Sequence, residues 1–140
     1  MIRRVAFICL GNSCRSIMAE ALARHFWGER VEAASAGLSP LGYVAPATLE
    51  VLEEIGVETA GLYSKALAEL ELETLHALVN LTDHSLKMIL PPFLYGRIIQ
   101  RPVRDPFGFS LDSYRRTRDD IVKLLREEGE QWWNLAKVKD

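Results

Sequence analysis

Residues Val5-Ala6-Phe7-Ile8-Cys9 form an apolar run with no polar break, and the run leads directly into Leu10-Gly11-Asn12-Ser13-Cys14-Arg15-Ser16. A strand that is apolar on both sides cannot leave either face in water, so it belongs in the middle of a sheet covered twice. Such cover comes from crossover segments, which make neighbouring strands parallel. The rest of the chain meets this demand, because apolar runs alternate with amphipathic stretches from end to end. The expected fold is therefore α/β in three layers, a four-stranded parallel sheet with helices on both faces. At 140 residues and 49% hydrophobic content, residues 1–140 are expected to make one domain whose core needs no crosslinks.

The punctuation of the chain places the elements. Ser16 to Trp27 reads as a helix, with Met18, Leu22 and Phe26 on one stripe beside Ala19 and Ala23, and Gly28 at its C-cap. Val31 to Ser35 reads as a second strand, Pro40-Leu41-Gly42 as a loop, and Pro46 to Ile55 as a helix closed by Gly56. Glu69 to Leu75 is expected to be a short helix and Ala77 to Leu81 a third strand. Ser85 to Leu90 is expected to be a helix stopped by Pro91-Pro92. Arg97 to Gln100 reads as a fourth strand. A final helix runs from about Leu111 to Trp133, with Tyr114, Thr117, Ile121, Leu124 and Leu125 along one side.

In folds of this kind ligands bind beyond the carboxyl ends of the strands, and the first strand ends at Cys9. From there the spacing is C-x5-R followed by a hydroxyl: Cys9, Arg15, Ser16. A tight loop entering a helix N-terminus aims several backbone N–H groups at one point and cradles a phosphate-like anion. Gly11 and Asn12 are residue types that tolerate a left-handed backbone in such a curl. Arg15 adds a planar fork able to grip two oxygens of a tetrahedral anion. Cys9 lies at the base of the same positive field, where a thiolate beneath a held phosphoryl group is an in-line nucleophile. Ser16 can donate its hydroxyl proton to that thiolate. The binding residues are thus Leu10, Gly11, Asn12, Ser13, Cys14, Arg15 and Ser16, with phosphate or sulfate as the expected occupant.

Composition narrows the setting. With 17 Lys+Arg against 19 Asp+Glu and a formal net charge of −2, the chain is no general nucleic-acid binder, which would be basic. The apolar run after Arg3-Arg4 is too short for a leader or a membrane span, so a cytoplasmic protein without membrane contact is expected. His25, His76 and His84 share no metal-ligand spacing with one another or with the cysteines, and no metal or other cofactor is implied. Both cysteines, Cys9 and Cys14, lie in the one loop, which is no disulfide framework. A nucleotide P-loop is excluded, because G-x4-G-K-[ST] is absent.

The string Cys9-Leu10-Gly11-Asn12-Ser13-Cys14-Arg15-Ser16-Ile17-Met18-Ala19-Glu20 resembles the loop of the low-molecular-weight protein tyrosine phosphatases and of their relatives, the thioredoxin-coupled arsenate reductases. The likeness continues through Ser35-Ala36-Gly37 to Asp105-Pro106-Phe107-Gly108 and covers essentially the whole chain. It implies a cysteine-dependent phosphatase of the tyrosine phosphatase type, acting on phosphorylated protein or a small phosphomonoester. By this resemblance Cys9 attacks phosphorus, Arg15 and the loop amides hold the equatorial oxygens, and Asp105 protonates the leaving group and later activates water. Cys14 would be a redox guard for Cys9.

The chain departs from that pattern in places. Ile17 replaces the usual proline, and Leu62 stands where many members carry a histidine that orients the loop asparagine, leaving Tyr63 or Ser64 to supply that bond. An arsenate reductase is the competing reading, but its relay needs further cysteines in or after the third strand, and the stretch from Leu81 to Leu90 has none. A non-catalytic phosphate-binding module is a third reading. Phosphotyrosine is the family's usual substrate. Ser13 and Phe107, as the substrate walls, leave phosphoarginine open, since Ser13 is small and polar where tyrosine-specific members carry a bulky branched residue.

Overall fold

The structure, a computed structural model, describes residues 2–139, and side chains as far as residue 134. Four strands form one all-parallel sheet: β1 (Arg3–Cys9), β2 (Val31–Gly37), β3 (Ala77–Asn80) and β4 (Ile98–Gln100), in the order β2-β1-β3-β4. The chain leaves β1 first to one side and then to the other. The carboxyl end of β1 is therefore the switch point where a crevice opens. Beyond the expected start at Val5, Arg3 and Arg4 also pair with β2, and an Arg4–Glu32 ion pair at 3.2 Å lies along that edge.

Three α-helices follow: α1 (Arg15–Trp27), α2 (Pro46–Glu53) and α3 (Leu111–Lys139). Alternation along β1 sorts the core into two. Val5 and Phe7 face α1, α2 and α3, where they meet Met18, Leu22, Leu52, Ile121 and Trp132. Ala6 and Ile8 face the other way, onto Leu75, Leu78, Leu86, Leu90 and Leu94. Both faces are covered, but the second layer is made of 3-10 turns, at Leu67–Glu69, Leu72–Thr74 and Pro92–Arg97.

Two of the expected helices are not formed there. The segment Glu69–Leu75 is two separate turns, because Leu70 is extended between them (φ −94°, ψ 143°). That break lets Leu67, Leu70, Leu72 and Leu75 all reach the sheet, which one short helix would not allow. The segment Ser85–Leu90 is a single turn closed by Ile89 and Leu90 N–H groups on the Leu86 carbonyl. A proline disfavours helical backbone in the residue before it, here Leu90, and one turn does not propagate. Helix α2 ends at Glu53, two residues early, and the chain turns over at Gly56 (φ 75°).

At the far end of α3 the paired tryptophans dock on the core. Trp132 packs edge-on to Phe7 and Trp27, and Trp133 stacks on Trp27 at 5.9 Å. Gly129 makes room for this, since a Cβ there would lie 2.6 Å from the Trp27 ring. Among the described residues no helix is long and apolar enough to cross a membrane.

Candidate active site

Cys9 is the last residue of β1, opposite Gly37 of β2, and Arg15 is the first of α1. The loop between them is held from outside. The carbonyls of Cys9, Leu10, Gly11 and Ser13 accept N–H bonds of 2.8–3.2 Å from Leu38, Ser39, Leu41 and Ala45. In a planar trans peptide the next N–H points opposite the carbonyl, and no peptide of this loop is cis. Outward carbonyls therefore turn the amides of Leu10, Gly11, Asn12 and Cys14 inward, as an anion cradle requires.

Of the loop residues only Asn12 takes the left-handed backbone (φ 46°), so Gly11, contrary to expectation, is not needed for conformation. A Cβ on Gly11 would meet Leu41 Cγ at 3.0 Å, a contact that the exposed Leu41 side chain can relieve by moving. Gly37 backs the cradle more tightly. A Cβ there would lie 2.8 Å from the Leu10 carbonyl oxygen and 2.9 Å from the Asn12 nitrogen.

Behind the cradle runs a chain of buried polar groups. Asn12 Nδ2 donates to Ser16 Oγ (2.7 Å) and to Ser35 Oγ (2.9 Å), and Asn12 Oδ1 accepts the Lys65 N–H (2.8 Å). Ser16 accepts from Asn12 and lies 2.8 Å from Cys9 Sγ, so its own proton is free to be donated to a Cys9 thiolate. Ser35 in turn donates to Glu20 Oε1 at 2.5 Å. That buried carboxylate also meets Lys65 Nζ at 3.4 Å and Arg24. Asn12 is thus held by Ser16, Ser35 and the Lys65 backbone. Neither alternative expected from the sequence holds it: Tyr63 lies over the Lys65 ammonium, and Ser64 donates instead to the Gly11 carbonyl at 3.1 Å. The signal that could have found Glu20 was its spacing, four residues beyond Ser16 on one helix face.

Arg15 is almost wholly buried. Its Nη1 donates to the carbonyls of Leu81 (3.1 Å) and Val103 (3.3 Å), and Nη2 lies 3.6 Å from Asp105 Oδ2. Nε is buried with no partner among the described residues. Leaving such a donor unsatisfied is costly, and an anion seated on the Nε/Nη2 edge would relieve it. Asp105 is half-exposed and is oriented by the Phe107 N–H on its Oδ1 (3.1 Å).

These residues meet in a cleft of about 240 Å³, with Cys9 at its base and Leu10, Leu41, Asp105 and Phe107 at its mouth. Ser13 lines it as well, but its Oγ accepts the Ala45 N–H (2.9 Å), so it faces the start of α2. Cys14 also borders the cleft yet is buried, its Sγ donating to Tyr114 Oη at 3.5 Å. Burial pushes the Cys14 thiol above its usual range, and burial together with the Cys14 contact pushes the Tyr114 phenol up. Four of the arginines near Asp105 in sequence already have partners. Arg115 and Arg118 close on Glu54, Arg101 closes on Glu128, and Arg97 donates to backbone carbonyls.

A family model described as low molecular weight phosphotyrosine protein phosphatase matches residues 4–135. A protein-arginine-phosphatase of Bacillus subtilis (strain 168) is 33% identical, over 91% of this chain and 95% of that protein. An arsenate reductase of Brevibacillus brevis is 28% identical, over 91% of this chain and 97% of its own length. The crystal structure of a low molecular weight protein tyrosine phosphatase from T. tengcongensis superposes with a TM-score of 0.82 at 28% identity, covering 92% of this chain and 99% of that one.

Proposed function

Because the chain belongs to the low molecular weight phosphotyrosine protein phosphatase family, we propose that it removes phosphoryl groups from protein side chains with Cys9 as nucleophile, Arg15 as anion clamp and Asp105 as general acid and base. The observation that carries this reading is the unpartnered Nε of buried Arg15 beside Cys9 at the base of the cleft. The phosphoryl group sits on the inward amides and the Nε/Nη2 edge, and the Cys9 thiolate attacks phosphorus from below. As the phosphorus–oxygen bond to the substrate breaks, Asp105 gives its proton to the leaving oxygen. The cradle and Arg15 stabilise the charge spread over the equatorial oxygens. Asp105 then takes a proton from water, which attacks phosphorus, frees inorganic phosphate and restores the thiolate.

Burial holds Cys14 as a thiol against the opposing pull of its Tyr114 contact, which suits a redox guard of Cys9 better than a second nucleophile. An arsenate-reducing relay finds no thiol beyond the cradle, since Cys9 and Cys14 are the two cysteines of the sequence.

Phosphotyrosine suits the apolar mouth, where Leu41 and Phe107 flank an aryl group. One second substrate is favoured by a specific observation: the relative at 33% identity is a protein-arginine-phosphatase, and small Ser13 leaves the cleft wall open. Hydrolysis of phosphotyrosine peptide, phosphoarginine protein and p-nitrophenyl phosphate, run beside arsenate-dependent oxidation of thioredoxin, tests these readings. Cys9→Ser should abolish hydrolysis and Asp105→Asn should slow the leaving-group step. Tight phosphate binding without turnover would leave a binding module, and thioredoxin oxidation without hydrolysis a reductase.

A further inference from the structure

β3 ends on Asn80, a wholly buried amide in the middle of an apolar strand end. All its hydrogen-bonding capacity is used. Oδ1 accepts the Thr82 N–H (3.0 Å) and the Thr82 hydroxyl (2.8 Å), while Nδ2 donates to the His84 carbonyl (2.5 Å) and to Gln100 Oε1 (2.7 Å). Gln100, on the neighbouring strand β4, returns a bond from Nε2 to the Thr82 carbonyl (2.6 Å). Residues 80–84 are thereby closed into a turn that is clamped to β4 on both sides of Leu81.

Leu81 is the residue this turn encloses. Its N–H donates to the Ile8 carbonyl at 2.9 Å, and its own carbonyl accepts both the Val103 N–H (3.0 Å) and Arg15 Nη1. Val103 offers its own carbonyl to the same Nη1 and stands two residues before Asp105. One short path therefore joins the turn to the clamp and to the acid. The Leu81 and Val103 carbonyls fix Nη1, and that leaves Nε and Nη2 as the edge turned to the anion. A guanidinium is planar, so fixing one nitrogen by two acceptors fixes the direction of the other two.

We infer that Asn80 and Gln100 are positioning residues for the phosphoryl-binding arginine: they hold the Leu81 carbonyl, and through it the reactive edge of Arg15. The inference rests on the phosphatase reading for its catalytic consequence, but not for its effect on anion binding. A truncated Asn80 leaves Thr82 without its acceptor and the His84 carbonyl without its donor, and the turn relaxes. The Leu81 carbonyl then shifts and Arg15 loses its aim, while Cys9, Ser16 and the cradle amides, held from the β2 side, stay in place.

The test is a double-mutant cycle of Asn80→Ala with Arg15→Lys, read by kcat and KM on p-nitrophenyl phosphate and by calorimetric affinity for inorganic phosphate. Asn80→Ala alone should lower kcat by about 10-fold to 100-fold, the range for a catalytic group misplaced from a distance. It should weaken phosphate binding in the same variant. In the Arg15→Lys background it should cost almost nothing further, which a general loss of stability would not produce. Gln100→Ala, at an exposed position, should give a smaller fall with the same non-additivity. Equal factors in both backgrounds, or wild-type kcat and phosphate affinity in folded Asn80→Ala and Gln100→Ala proteins, overturn the inference. Absence of turnover in the wild type would instead count against the phosphatase reading, and the phosphate-affinity arm of the cycle would still decide the role of Asn80.

Discussion

Adding one methyl group at Gly37 probes the cradle from behind, without replacing any residue of the loop itself. Gly37 is extended backbone at the end of β2, so alanine suffers no conformational penalty there and the whole effect is one of room. The new Cβ would lie 2.8 Å from the Leu10 carbonyl oxygen, whereas ordinary contact begins at 3.4 Å, a shortfall of 3.4 − 2.8 = 0.6 Å. Both obstacles, the Leu10 carbonyl and the Asn12 nitrogen, are cradle backbone that cannot swing aside as a side chain would. Overpacking of this kind costs about 1–3 kcal/mol. A cradle displaced by roughly half an ångström should lose about 10-fold to 100-fold in kcat, given that a misplacement of about 1 Å costs about 100-fold. The assay is p-nitrophenyl phosphate turnover with a thermal melt on the same sample. Gly28→Ala is the control: glycine there has φ 57° with nothing within 4 Å of where a Cβ would stand, far along α1 from the loop. It should lower Tm through backbone strain and leave kcat alone. If Gly37→Ala keeps wild-type kcat and KM, the tight backing of the cradle by β2 is not what shapes it.

Three further outcomes are expected. Gly129→Ala should lower Tm in a thermal melt despite the roughly 0.8–1 kcal/mol better helix propensity of alanine, because its Cβ would meet the Trp27 ring at 2.6 Å. Cys14 has its thiol pushed above the usual 9.0 by burial, so the folded state favours the protonated form; the stability this contributes is present below that value and is lost as pH rises through the higher folded one. Denaturant midpoints of wild type and Cys14→Ala should therefore converge in alkali. Glu54, held below its usual 4.5 by Arg115 and Arg118, contributes stability above that value that fades as pH falls through the lower folded one. An acid titration of Glu54→Gln followed by circular dichroism should then show a shallower loss of structure than wild type.

Much of the site was legible because its chemistry is local in sequence. Cys9, Arg15 and Ser16 lie within one strand–loop–helix passage, where residue type and spacing alone carry the argument. Asp105 was reached by resemblance, and its 3.6 Å approach to Arg15 could not be read from the chain itself. The supports were not legible. Glu20, Ser35 and Lys65 are scattered over three elements and look like an ordinary helical acid, a strand serine and a loop lysine until burial joins them.

The sequence by itself determined the parallel α/β class, the central place of β1 and the seat of the proposed nucleophile, since an apolar run that ends in a glycine-bearing turn admits few other arrangements. It misjudged the cover of the second face, where Leu70 and Pro91 break what periodicity reads as helices. Tertiary structure alone decided that Gly37 serves as space, that Ser13 turns toward α2, and that Arg15 Nε is buried without a partner among the described residues. The physical reason is that these depend on which distant backbone atoms arrive beside a residue, and that information resides in the packing of β1 against both its neighbours rather than in any stretch of the chain.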